Sequence, residues 1–334
     1  MKNQTKITVI PGDGIGPEIV ESVTQIIDAM HLNLSWDYVT AGKVSLEDSG
    51  ELIPNTVYQS IDRNKIAIKG PIETPVGKGF RSVNVSLRQQ YDLYTNLRPI
   101  CSLKDDRYSA IDLIIFRENT EGLYIGLEKT IDDDTVHATK LVTRKGCKRI
   151  IKEAFEYALK HNRKKVTLVH KANILKLADG MFLEIGRNIS KDYPSIEFED
   201  VIVDNMCMQL VLDPNQFDVI VAQNLYGDIL SDLCAGLVGG LGTVPGANIG
   251  NDIAIFEAVH GTAPDIAGKD AANPTALLLS ACMMLEHLKY FDASTQIKVA
   301  LDKMFDANLL TKDLGGSLST SDFTNQLIGF MKNT

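Results

Sequence analysis

The chain has one tryptophan, no paired-cysteine spacing, no excess of positive charge and no apolar run long enough to cross a bilayer. Each absence removes a class of function. The longest apolar stretch, Ala276 to Leu285, falls well short of the roughly 20 residues a membrane-spanning helix needs. The five cysteines, Cys101, Cys147, Cys207, Cys234 and Cys282, are odd in number, far apart and free of any Cys-x-x-Cys spacing. They read as reduced thiols rather than a disulfide framework or a zinc site. A formal net charge of −9 disfavours non-specific nucleic-acid binding and repels anions at long range, so a site for an anionic substrate needs its own positive cluster. No basic, apolar leader opens the chain, because Met1 to Lys6 runs directly into Ile7-Thr8-Val9-Ile10. The expectation is a cytoplasmic protein with neither nucleic-acid nor membrane partners.

What is present is an ordinary globular composition, 44% apolar and 23% charged, on 334 residues. That length suits one two-lobed enzyme or two domains. Short β-rich runs at 7–10, 34–39, 66–68, 112–116, 165–170, 196–203 and 217–222 alternate with helical periodicity at 147–161, 180–191, 226–238, 275–290, 295–307 and 321–332. This alternation predicts an α/β fold with a largely parallel sheet flanked by helices. Without a repeat or a linker between the halves, the chain is expected to pass between lobes more than once. The segment 127–144 stands apart, being polar, β-leaning and without a core face. It is either a solvated hairpin or an arm that pairs with another protomer.

The turn Gly12-Asp13-Gly14-Ile15-Gly16 follows a strand and precedes a helix, as phosphate-binding turns do. Its spacing is G-x-G-x-G rather than G-x-G-x-x-G, and no acidic residue closes a strand about twenty residues on. A Rossmann site is therefore not expected. Gly77-Lys78-Gly79 likewise lacks the serine or threonine of a phosphate loop. Both read as backbone turns that need small residues.

The chemistry-bearing residues lie elsewhere. Asp228 and Asp232 stand four apart on a predicted helix, which places both carboxylates on one face as a divalent-cation site in outline. Arg88, Arg98 and Arg117 offer the planar forks that suit carboxylates. A metal opposite arginines suggests a small polycarboxylate. In the run Thr74 to Arg88, Val83, Val85 and Leu87 are candidates for a core face, leaving Ser82, Asn84 and Arg88 as polar groups near a helix start.

With Tyr94-Thr95-Asn96-Leu97-Arg98-Pro99 and Phe116-Arg117-Glu118-Asn119 through Tyr124, that run resembles the β-decarboxylating dehydrogenases, which act on isocitrate, homoisocitrate, 3-isopropylmalate and tartrate or D-malate. The likeness spans nearly the whole chain and is strongest toward the NAD-dependent isocitrate branch. It implies a non-Rossmann two-lobed fold, with 1–95 and 240–334 forming a large cofactor domain. Residues 96–239 would form a smaller substrate, metal and dimerisation domain that includes a β-rich arm at about 127–144. It implies that Ser82, Asn84, Arg88, Arg98 and Arg117 bind substrate carboxylates and that Tyr124 donates a proton to carbon. Lys171, in Val169-His170-Lys171-Ala172-Asn173, would assist deprotonation of the substrate hydroxyl, with Asn173 beside the nicotinamide.

The resemblance further implies that Asp204, Asp228 and Asp232 hold Mg²⁺ or Mn²⁺, with Lys171 and Asp204 supplied by the second protomer of a homodimer or of a higher oligomer built from such dimers. Thr74, Asn84, His260, Gly261, Thr262, Ala263, Asp265, Ile266 and Asn273 would bind the cofactor. Asp265 favours NAD, since a carboxylate accepts hydrogen bonds from both ribose hydroxyls and repels a 2′-phosphate. The function so implied is oxidative decarboxylation of isocitrate, with homoisocitrate, then 3-isopropylmalate or tartrate/D-malate, as alternative substrates. A non-catalytic regulatory role in a hetero-oligomer is the alternative from another class.

Overall fold

A computed structural model of the chain describes residues 4–73, 82–103, 108 and 110–332. Thr74 and Gly77-Lys78-Gly79 lie outside the described residues. The chain forms two compact units, one of Met1–Ser86, Gly239–Ala247 and Asn251–Thr334, the other of Leu87–Val238 and Asn248–Gly250. In chain order it opens with β1 (Thr5–Ile10), α1 (Gly16–Asp28), β2 (Leu34–Tyr38), α2 (Lys43–Ser49), α3 (Asn55–Asn64), β3 (Ile66–Lys69) and α4 (Val83–Gln90). The second unit holds β4 (Thr95–Cys101), β5 (Asp112–Glu118), β6 (Glu128–Asp132), β7 (Thr135–Ala138), α5 (Arg144–Lys160) and β8 (Lys165–His170). It continues with α6 (Ala178–Ile189), β9 (Glu197–Ile202), α7 (Val203–Leu212), β10 (Val219–Ala222) and α8 (Asn224–Leu237). The chain then adds β11 (Pro245–Ile249), β12 (Ala254–Ala258), α9 (Thr275–His287), α10 (Phe291–Asp306) and α11 (Thr320–Lys332).

In the first unit the strands run in the order β2-β1-β3-β12-β11, and β1 pairs parallel with both β2 and β3. β3 and β12, buried along their whole length, are near-continuous apolar runs, as central parallel strands are. Helix α1 starts with Pro17 in its first turn, where the missing N–H costs nothing. Its stripe of Ile19, Val20, Val23, Ile26 and Ile27 is buried, and the helix packs on α9 and α11. The turn before it needs glycine at two places, because Gly12 and Gly14 have φ of 76° and 59°.

In the second unit the order is β4-β5-β10-β8-β9, parallel except for the antiparallel β4–β5 pair. Helix α5 is capped by Thr143, whose hydroxyl accepts from the Gly146 N–H at 3.0 Å. It buries Ile150, Ile151, Ala154 and Phe155 against α6 and the strands. β6 and β7 pair only with each other as an antiparallel hairpin whose residues are all exposed. Among the described residues no helix is long and apolar enough to cross a membrane.

Helix α4 corrects one reading. Val83 and Leu87 are buried, but Val85 is half-exposed, because a helix repeats every 3.6 residues and brings 83 and 87, not 85, onto one face.

Candidate active site

The second unit gathers the arginines and the acidic pair. β4 and β5 are hydrogen-bonded neighbours, with Arg98 opposite Ile115 and Arg117 opposite Asn96. Both guanidiniums reach α8. Arg117 is 1% exposed, and its Nε and Nη2 donate to Asn224 Oδ1 at 3.1 and 2.8 Å while Nη1 donates to Asp228. Arg98 donates to the Ser231 hydroxyl and lies 3.5 Å from Asp232 and 3.8 Å from Asp228. Helix α8 begins at Asn224, so Asp228 sits in the second turn and is no cap. Gly227 is obligatory, since a Cβ there would fall 2.6 Å from Arg117 Cγ.

Tyr124, in a single 3₁₀ turn at Leu123–Ile125, donates its hydroxyl hydrogen to Asp228 and lies under Arg117, whose guanidinium carbon is 5.0 Å from the ring centre. Burial and this hydrogen bond hold its hydroxyl above the usual tyrosine range. Arg88, 8% exposed on α4, adds its charge to the cluster. Burial and the charges of Arg88 and Arg98 lower Arg117 to about 9, which leaves it protonated at neutral pH. Burial pushes the Asp228 carboxyl up, but Arg117, the Tyr124 hydroxyl, Arg98 and Arg88 outweigh it and hold the group below the ordinary carboxylate range. The result is a carboxylate pair, 32% and 58% exposed, against buried cations.

Lys171 and Asp204 form a separate ion pair in the same unit, at the end of β8 and the start of α7. Asn173 beside them is exposed. Among the described residues no three acidic, histidine or cysteine side chains stand close enough to hold a metal, so Asp204 does not join Asp228 and Asp232 within one chain. The pair itself offers hard oxygen donors, the chemistry that Mg²⁺ and Mn²⁺ prefer.

The other expected residues belong to the first unit or to α4. Asn84 stands one turn before Arg88, and Ser82 begins that helix by accepting the Ser86 N–H at 2.9 Å. His260, Gly261, Thr262, Ala263, Asp265 and Ile266 form the loop after β12, with Asp265 exposed. His260 is lowered by burial, and its Nδ1 is 3.0 Å from the Gly261 carbonyl. Asn273 is buried, accepting the Thr275 N–H and donating to Asp313, both at 2.9 Å.

Sequence reasoning overlooked Asn224 and Ser231, the anchors of Arg117 and Arg98. The signal was available. Asn224, Asp228 and Ser231 recur at spacings of four and three, one stripe of a helix.

The chain belongs to the isocitrate/isopropylmalate dehydrogenase family, whose model it matches over residues 6–327. A mitochondrial regulatory component of the NAD isocitrate dehydrogenase of Dictyostelium discoideum is 50% identical, the match covering 97% of this chain and 91% of that protein. The human mitochondrial NAD isocitrate dehydrogenase alpha chain is 48% identical, with 98% and 90% covered. The crystal structure of isocitrate dehydrogenase from Methylococcus capsulatus is similar at a TM-score of 0.94 and 50% identity, covering 98% of this chain and 99% of that one. The expectation of a cytoplasmic protein is overturned by the Dictyostelium and human relatives, which are named as mitochondrial. That expectation had rested on reading Met1 to Lys6 as no secretory signal, which says nothing about an organelle.

Proposed function

We propose that the chain is catalytic and that it oxidises and decarboxylates isocitrate to 2-oxoglutarate and CO₂ with reduction of NAD. The observation that carries this reading is Asp228, which together with Asp232 faces Arg98 and Arg117 and accepts the Tyr124 hydroxyl. A chelated hydroxy acid needs both kinds of neighbour. Asp228 and Asp232 would hold the dication, with Asp204 from a second copy of the chain. When bound, the dication supplies Lewis acidity toward the substrate's hydroxyl and adjacent carboxylate.

The chain's own groups do the rest. Ser82, Asn84, Arg88, Arg98 and Arg117 hold the substrate carboxylates and Lys171 takes the hydroxyl proton, while NAD, when bound, would supply the hydride acceptor. After the β-carboxylate leaves as CO₂, Tyr124 returns a proton to carbon. Thr74, Asn84, His260, Gly261, Thr262, Ala263, Asp265, Ile266 and Asn273 would bind the cofactor, with Asn173 at the nicotinamide. Sharing between two copies is supported by the apolar side chains exposed on the segment after Lys171 and along α7, which begins beside Asp204. Ile174 and Leu177 are 66% and 90% exposed, and Met208 and Leu212 on α7 are 50% and 71% exposed.

Homoisocitrate is the second substrate considered, since one methylene is worth only about 1–3 kcal/mol of discrimination. A regulatory role is the reading from another class, because a relative named regulatory and a relative named alpha match equally well. Against it, Tyr124, Lys171 and the three aspartates are all present. The test is NADH production by the purified chain with isocitrate, homoisocitrate or 3-isopropylmalate and Mg²⁺ or Mn²⁺. Isocitrate as the poorest substrate overturns the substrate assignment, and no turnover with any acid and either metal favours the regulatory role.

A further inference from the structure

The glycine-rich turn that binds no phosphate has another use. Asp13 is 6% exposed, and its two carboxylate oxygens accept from separate chain segments: Oδ1 from the Lys43 N–H at 2.8 Å, Oδ2 from the Glu73 N–H at 2.9 Å. The Asp13 N–H in turn donates to the Pro71 carbonyl at 2.8 Å. Two residues on, the Ile15 N–H donates to the Thr262 carbonyl at 2.9 Å. The turn thus grips the chain one residue ahead of Thr74 and also the loop after β12.

The fit leaves no slack. A Cβ at Gly12 would lie 2.1 Å from the Pro71 carbonyl oxygen, one at Gly14 2.0 Å from that of Thr262, and one at Gly42 2.4 Å from the Asp13 carboxylate. At Gly12 and Gly14 the neighbour is backbone and cannot give way, and at Gly42, whose φ is 94°, it is the buried Asp13 carboxylate itself. Three glycines from two parts of the chain are therefore spent on letting one buried carboxylate and its turn approach two loops. A tight turn between a strand and a helix needs no such approach.

We propose that Asp13 is a positioning residue for the cofactor, fixing Glu73 and, through its own turn, the loop 260–266 in one register. This rests on the reading that those two segments bind NAD. A carboxylate suits the task because it accepts two amide hydrogens at once, whereas an asparagine accepts through one oxygen only. Asp13 touches neither cofactor nor substrate on this view.

The experiment compares wild type with Asp13→Asn by NADH fluorescence titration, by separate KM values for NAD⁺ and isocitrate, and by thermal melting. Loss of one charge-assisted bond is expected to weaken NADH binding and raise the NAD⁺ KM about tenfold, with the isocitrate KM within about twofold. A folded variant with unchanged NADH affinity overturns the proposal, as does an equal rise in both KM values. Amide exchange on the wild type needs no variant. NADH should slow exchange at Glu73 and at Lys43, whose amide donates to Asp13 Oδ1. Protection confined to 260–273 also overturns it. Wild type that binds no NADH at all withdraws the cofactor reading itself, so the two failures are distinguishable.

Discussion

Tyr124 and Asp228, 104 residues apart in the chain, are joined by a hydrogen bond from the phenol to the carboxylate. The tyrosine's elevated pKa keeps it protonated at neutral pH, which a proton donor to carbon requires. Tyr124→Phe is expected to lower kcat about 10²-fold or more while changing the isocitrate KM by less than about threefold. Steady-state kinetics check this. A rise in KM with kcat unchanged would make the hydroxyl a binding group instead.

Asp37 on β2 sets a pH dependence. Burial raises its carboxyl, but hydrogen bonds from Ser60 at 2.8 Å, Arg63 at 2.5 Å and Asn64 at 2.9 Å, with Lys6 3.5 Å away, hold it far below the usual range. A depressed folded pKa contributes stability above the unfolded value of about 3.9 and loses it as pH falls through the folded one. Asp37→Asn should therefore melt below wild type at pH 7, with the gap closing as pH approaches about 2. Melting curves across that window read the effect.

Much of the fold was legible because periodicity survives in its simplest elements. The stripe of α1 and the apolar runs of β8 and β10 are unambiguous, since each is buried along a single face or on both. Other elements gave no such signal. β11 opens with Pro245 and Gly246, residues that punctuate loops, yet it stands at the end of its unit's strand order. β4 hides behind Arg98 and Pro99, and α7 buries only Met206 and Leu210, too few for a period to show. In the site, the acidic pair and the arginines could be read from residue type alone. Their anchors, Asn224 and Ser231, share the helical stripe of Asp228, but which guanidinium each holds shows only once β4 and β5 are placed beside α8.

If loop 260–266 binds the cofactor as proposed, the choice between NAD and NADP turns on Asp265, exposed on the loop after β12. Asp265→Lys with Ile266→Tyr removes a charge that repels a 2′-phosphate and supplies one that attracts it. The ratio of kcat/KM for NAD to that for NADP should fall by about 10²-fold, as expected for reversing a charged contact worth a few kcal/mol. An unchanged ratio would place the ribose elsewhere.

Shared sites make the sharpest prediction, because they follow from an apparent defect of the single chain. Asp204 pairs with Lys171 and stands apart from Asp228 and Asp232 among the described residues, whereas the proposed reading has all three hold one dication. If two copies complete one another, Lys171→Met and Asp228→Asn each inactivate both sites of their own homodimer. A heterodimer of the two variants places both defects in one site and leaves the other intact. Mixing them in equal amounts after reversible dissociation makes half the dimers mixed, each with one working site, so activity should return to about a quarter of wild type. Exchange of protomers must be verified independently, by mass-tagged copies for example. Exchange without recovered activity would mean that each chain uses its own Lys171 and Asp204, or that neither residue serves the reaction.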